Sequence, residues 1–359
     1  MFKRAMLAAA LLASAACVAA GPPEEAVFVI SSNSGQPYTQ IIETFLATMQ
    51  ANEGKLHRKF VFTLKSLDNH PARLDNKAFA PEMQQARYIL VNGTIASMKV
   101  VEQVGAQDQR KFVYCSVTDP VAVGLVGPKA SDPAHFTGVS FYLDPAERLG
   151  FVERLYPHAR NLGLVYADMP QSHSYNGWLR QALDNARGGP PLHLVTQEIP
   201  FVQGAGGITR MALLAADAAQ RMEPLVDVFI SPNDQLGLNS AYYETLGRAI
   251  RKPLIGIGVT DARADHGATA SIAPSFAGMG RQCANMMLQQ MKGTSAADIP
   301  PQTPPEYEIL INTERARESG ANVEYFAARC PRGGPLLHLM VKRGKADRLD
   351  WSSLKCIRD

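Results

Sequence analysis

The sequence predicts an α/β protein of two doubly wound, parallel-sheet lobes joined by a multi-strand hinge. Three observations carry this. Short β-branched runs alternate with amphipathic helical stretches, first up to about Gly138 and again from about Asp144 to Asp261. Alternation of that kind builds parallel sheets covered by helices. The chain has 359 residues, 46% of them hydrophobic, which suits two lobes of ordinary size. Finally, a strand, a long helix and another strand follow the second series. They cannot all extend one lobe if the chain crosses back, and several crossings make a hinge.

The elements follow in order. Ala26–Ser31 (AVFVIS) reads as a strand, and Pro37–Gln50 as a helix with Ile41, Ile42, Phe45, Leu46 and Met49 at helical spacing. Phe60–Leu67, Arg87–Val91 and Lys111–Ser116 are the next strands, with a loop and a short helix between Leu67 and Arg87. In the second series Asn161–Ala167, Leu192–Glu198, Leu225–Ile230 and Pro253–Ile257 read as strands. Ser174–Ala186, Ile208–Arg221 and Gln235–Ile250 read as helices. Ala268–Ile272 is then a strand, Ser275–Lys292 a helix and Glu306–Asn312 a strand, the last two separated by the Pro-rich segment Ile299–Pro305. The expected lobes are 24–138 with 270–298, and 139–269 with 300–328. Residues 329–359 form a tail of unassigned structure.

The first twenty residues read as an export signal. Lys3-Arg4 precede an Ala/Leu-rich run, and Val18-Ala19-Ala20 has the small-residue pattern of a cleavage site, which predicts release after Ala20. An alternative reading makes Cys17 a lipid-anchored N-terminus, but Ser14 stands where such signals favour Leu. No other stretch approaches the 20 or so apolar residues of a membrane span. Of the five cysteines, Cys115 and Cys283 are expected as small core residues. Cys330 and Cys356 bracket the tail and can pair in an oxidising compartment. A net charge of only +3, with acids and bases interspersed, argues against a nucleic-acid partner.

Ligands of open α/β sheets sit beyond the carboxyl ends of the strands. Here those ends carry Ser31-Ser32-Asn33, Gly93-Thr94, Thr118-Asp119, Asn233-Asp234 and Thr260-Asp261. Any one of them is an ordinary helix N-cap, worth about 1 kcal/mol. Five strand ends from two lobes sharing the pattern read instead as the lining of one crevice. The candidate ligand-binding set is therefore Ser32, Asn33, Gly93, Thr94, Thr118, Asp119, Asn233, Asp234 and Asp261. Ser140 and Tyr142 at the first lobe change, and Asn176 on the next helix, complete it. Asp119 and Asp234 are the residues expected to meet an ammonium. No nucleophile elbow, H-E-x-x-H or phosphate loop is present, and Gly256-Ile257-Gly258 lacks the third glycine of a dinucleotide site. No enzyme, cofactor or metal is expected. Asp265-His266 reads as a solvated loop.

Several segments carry a resemblance. Phe112–Val126 (FVYCSVTDPVAVGLV), Thr137-Gly138-Val139-Ser140, Arg154–Tyr166, Phe229–Ala241, Gly278–Pro300 and Glu306–Gly320 resemble, in order and spacing, the extracytoplasmic substrate-binding proteins of ABC transporters. The likeness is to the tryptophan-binding-protein-like family with a type I periplasmic-binding fold. It departs from that family at Ser271–Phe276, where members carry Gly-x-Asp-Tyr-Tyr. The resemblance implies a monomeric, exported protein that closes on a small, amino-acid-like solute and delivers it to an ABC permease with its ATPase. The alternative it leaves is a receptor subunit for a membrane sensor kinase or cyclase.

Overall fold

The computed structural model describes residues 22–75, 80–105, 108–127, 135–186, 191–204, 206–263, 267–331, 333–345 and 348–357. The signal segment, Cys17, the cleavage point at Ala20 and Asp265-His266 lie outside the described residues.

The first series is β1 (Glu24–Ser31), α1 (Tyr38–Gln50), α2 (Glu53–Leu56), β2 (Lys59–Ser66), α3 (Ala80–Gln85), β3 (Tyr88–Asn92), α4 (Thr94–Val101), β4 (Lys111–Val117) and β5 (Phe136–Ser140). Its sheet has the order β2-β1-β3-β4-β5, and every pairing is parallel. Central strands of such a sheet are covered on both faces, so they read as unbroken apolar runs rather than alternating ones. YILVN of β3 is buried at every position.

The second series is α5 (Pro145–Leu155), β6 (Asn161–Ala167), α6 (Pro170–Asn185), β7 (His193–Ile199), α7 (Gly207–Met222), β8 (Val228–Ile230), α8 (Ser240–Ala249), β9 (Leu254–Gly256) and β10 (Ala270–Pro274). Then come α9 (Phe276–Met291), β11 (Glu306–Asn312), α10 (Thr313–Glu318), α11 (Glu324–Ala327), β12 (Leu336–Arg343) and β13 (Leu349–Cys356). The second sheet has the order β13-β12-β11-β10-β9-β8-β6-β7. Its β7-to-β10 half is parallel, and β11, β12 and β13 add antiparallel strands.

Three expectations need correction. Residues 270–274 were assigned to the first lobe, but β10 pairs with β9 and β11 in the second sheet. From Phe276 the chain does return to the first lobe: α9 packs its Met279, Cys283 and Met287 face against the core that holds Ile41, Phe45 and Val113, and Ile299 joins the same cluster. Val139 and Ser140, placed in the second lobe, finish β5 of the first. The tail, to which no structure was assigned, supplies β12 and β13, a hairpin that extends the second sheet with Leu337, Leu339, Val341 and Leu354 in its core. Lastly, Cys115 and Cys283 are core residues, but they form a disulfide between β4 and α9. Cys330 and Cys356 also pair.

One element starts late. A helix was expected from Gln235, yet α8 begins at Ser240. Asp234 accepts from the amides of Leu236 and Gly237 and holds that stretch as a turn. The Asn239 side chain then caps the real helix at Ala241 N.

The chain changes lobe after β5, between β10 and α9, and between α9 and β11. The crossings are laced together. Thr137 Oγ1 donates to Ile299 O at 2.6 Å, and Gln302 exchanges backbone bonds with Gly138 and Ser140 at 2.9 and 3.0 Å. Gly138 is required there, because a Cβ would lie 2.0 Å from the Tyr114 carbonyl oxygen. The Thr-Gly-Val-Ser segment is thus a hinge joint.

Candidate functional site

The carboxyl edges of the two sheets face each other. Asn233 Nδ2 approaches Thr118 Oγ1 at 3.4 Å across the gap. One apolar cluster runs from Phe28, Ile89 and Ala96 of the first lobe to Met169, Met211 and Tyr243 of the second. Between the lobes lies a cavity of 190 Å³. Thr94, Met98 and Asp119 line it from one side; Pro170, Gln171 and Ser174 line it from the other.

On the first-lobe wall, Thr94 opens α4 and Thr118 follows β4; both are buried. Asp119 is partly exposed. Its Oδ1 accepts from Ala122 N at 2.9 Å, so it also holds the turn after Pro120. Ser32 is fully buried, and its Oγ accepts from Ala96 N, which makes it a support for α4. Gly93 has φ +94, where L side chains are strained. A Cβ there would meet Ser32 Oγ at 2.5 Å and Tyr38 Cε1 at 2.7 Å, so glycine lets the Tyr38 ring pack down. Asn33 is not brought to the cleft. Its Oδ1 accepts from Gly35 N, and it lines a separate hollow on the first lobe with Thr39, Ile42 and Leu64.

On the second-lobe wall, Asn176 is 2% exposed and neither amide atom has a hydrogen-bond partner. Asn233 Oδ1 and Gln171 Oε1 are likewise buried and unpartnered, and Gln235 lies against the buried Tyr38 hydroxyl. Buried polar groups in folded proteins are almost always satisfied, so this concentration is a property of the site. Asp234 and Asp261 play another part. Asp234 holds Leu236 N, Gly237 N and the Ser172 hydroxyl, the last at 2.7 Å. Asp261 accepts from Gly258 N at 2.6 Å and from Ile257 N at 3.1 Å. Both carboxylates lock loops after strands. Burial pushes the Asp234 carboxyl up, against the pull of these donors.

Ser140 and Tyr142 sit at the hinge. Ser140 N donates to Gln302 O. Tyr142 donates to Asp144, stacks edge-on with Trp178, and its carbonyl accepts from Tyr307 Oη at 2.6 Å. Arg343 of the tail strand donates to Tyr307 Oη and to Thr303 Oγ1, tying the hairpin to the crossing.

The sequence reading passed over Tyr38, Gln171, Ser172, Gln235 and Arg148. Gln171 had a usable signal, since Asp168-Met169-Pro170-Gln171 follows β6 just as the selected pairs follow their strands. Arg148 had none: it looks like any basic residue on an amphipathic helix.

A sequence model of the family described as ABC transporter substrate binding protein matches residues 78–325. The tyrosine-binding protein of Clostridioides difficile (strain R20291) is 24% identical over 224 residues, and the match covers 60% of each chain. This chain therefore spans about 60% of the length of that curated relative. Among solved structures, a conserved domain protein from Vibrio cholerae O1 biovar eltor superposes with a TM-score of 0.67 at 18% identity, covering 83% of this chain and 95% of that one. The ABC domain in complex with L-Trp from Streptococcus pneumonia gives 0.66 at 18% identity, covering 84% and 96%. These likenesses establish the two-lobed type I periplasmic-binding fold. With the family match spanning well over half of its length, the chain belongs to the ABC transporter substrate-binding protein family.

Proposed function

We propose that this protein is the exported solute-binding component of an ABC importer and that its solute is an amino acid. The observation that carries the reading is the second-lobe wall: both amide atoms of Asn176 and the side-chain oxygens of Gln171 and Asn233 are buried without hydrogen-bond partners. Gln171 faces Thr94 and Asp119 across a small cavity, and Asn233 meets Thr118 directly across the gap between the lobes. A solute with polar groups at both ends satisfies these atoms only when the lobes are together. Its binding therefore favours the closed form. That form is what a membrane permease with its ATPase would recognise. The tyrosine and tryptophan bound by its relatives support an amino acid as the class. The mature protein begins at Gly21 and acts as a monomer in the extracytoplasmic space.

A thermal-shift screen of the twenty amino acids, sugars and small organic acids tests this. A ligand at 100 times its Kd should stabilise the protein by about 2.7 kcal/mol. A shift with sugars alone would overturn the amino-acid reading. N-terminal sequencing of the exported protein should start at Gly21, and an intact Met1 in the cytoplasm would overturn export.

A further inference from the structure

Arg148, on α5, heads the largest fully buried side chains at 1% exposure. Its guanidinium is always charged and carries five N–H donors. Nη2 donates to Ser231 O at 2.6 Å and approaches Ser231 Oγ at 3.4 Å. The Tyr175 ring lies 5.8 Å away. Nε has no partner. Among the described residues, no carboxylate lies within ion-pair distance of it. Buried charges are otherwise paired, because removing an ion from water is costly without a counter-charge.

The place of this cation in the fold is informative. Ser231 follows β8 and lies two residues before Asn233. Tyr175 directly precedes Asn176. Arg148 is thus tied to the residues that lead directly into Asn233 and Asn176, whose side-chain oxygens are buried and unpartnered on the second-lobe wall. The carboxylates nearest in sequence to that wall, Asp234 and Asp261, are occupied by backbone amides and Ser172. The guanidinium therefore brings a full positive charge to that wall with no carboxylate in direct contact with it, and Asn176 Nδ2 is a spare donor there.

We propose that Arg148 holds the acidic group of the solute, a carboxylate that enters against the second lobe while the rest of the solute faces Thr94, Thr118 and Asp119. The proposal rests on the interlobe cleft being the solute site. The planar fork of a guanidinium fits a carboxylate's two oxygens, and Asn176 Nδ2 can supply a further donor. An inorganic oxyanion offers similar acceptors, so the test includes one.

The experiment is calorimetric titration of the mature protein and of Arg148→Gln with acid–amide pairs: L-tyrosine and L-tyrosinamide, L-leucine and L-leucinamide, phenylacetate and phenylacetamide, with inorganic phosphate as a separate arm. For at least one pair the wild-type protein should bind the acid roughly 100-fold more tightly than the amide, as expected for a charge-assisted bond. In Arg148→Gln that preference should vanish. The ligand-free variant should unfold at the same denaturant concentration as wild type or a higher one, because an unpaired buried charge has gone. A residue present only to tie Ser231 predicts a lower midpoint. If Arg148→Gln does not fold, Arg148→Lys should keep part of the preference, and the wild-type acid–amide comparison stands by itself. Equal wild-type affinity for acid and amide overturns the proposal, as does unchanged acid affinity in the variant or binding of phosphate alone. Tyrosine binding equally to both proteins sinks the anchor and leaves the amino-acid reading standing. Arg148-dependent binding of phenylacetate without any amino acid does the reverse. If no member of the panel binds, both fall.

Discussion

Asn176→Leu should make the ligand-free protein more stable and the binding site worse. Asn176 lies in the second turn of α6, 2% exposed, with Oδ1 and Nδ2 both unpartnered. A buried amide without hydrogen bonds costs about 1–3 kcal/mol relative to an apolar side chain of similar size. Leu has nearly the same shape and a better helix propensity by a few tenths of a kcal/mol. The urea-unfolding free energy of the ligand-free protein should therefore rise by about 1–3 kcal/mol. The same amide is available to a bound solute, so its loss should weaken binding by a similar amount, roughly 5- to 150-fold in Kd. Equilibrium unfolding without ligand and titration with the best ligand of the screen measure both quantities on one variant. Lower stability with unchanged affinity would refute the reasoning and make Asn176 a packing residue of α6.

Three further outcomes are expected. Asp119→Ala should lose about 1 kcal/mol of stability with the turn bond to Ala122 N, and should weaken amino-acid binding by about 1–3 kcal/mol if its other oxygen meets the ammonium; lost stability with unchanged affinity would make it a turn cap only. Cys283→Ser opens the Cys115–Cys283 disulfide, which spans 168 residues, so the unfolding free energy should fall by about 5 kcal/mol on the loop-closure estimate; a change below 1 kcal/mol would show that the cross-link does not form in the exported protein. Burial holds the Asp234 carboxyl above its ordinary range, so the folded state keeps that proton to higher pH than the unfolded chain. Its contribution is full below the unfolded value and lost as pH rises through the raised one. Asp234→Asn should flatten this fall in a series of denaturation curves over pH, and an unaltered pH profile would contradict it.

The alternation of strands and helices, two series and a crossing back were all legible in the sequence, because helical and strand periods are local properties of the chain. So was the rule that strand ends carry the polar groups, and it led to Thr94, Thr118, Asp119 and Asn233. What the sequence could not sort is which strand-end groups serve the cleft and which serve the backbone. Asp119 and Asp234 look alike as letters. Only the fold shows that backbone amides and Ser172 hold Asp234 while Asp119 lines the cavity. Nor does a local pattern reveal that Cys115 and Cys283 meet, that β10 pairs in the second sheet while α9 returns to the first, or that the tail completes a sheet edge. Arg148 is the clearest instance. Helical spacing marks it as one more basic residue. Its significance comes from burial beside Ser231 and Tyr175 without a counter-ion, and burial and charge balance belong to the packed molecule, not to any window of sequence.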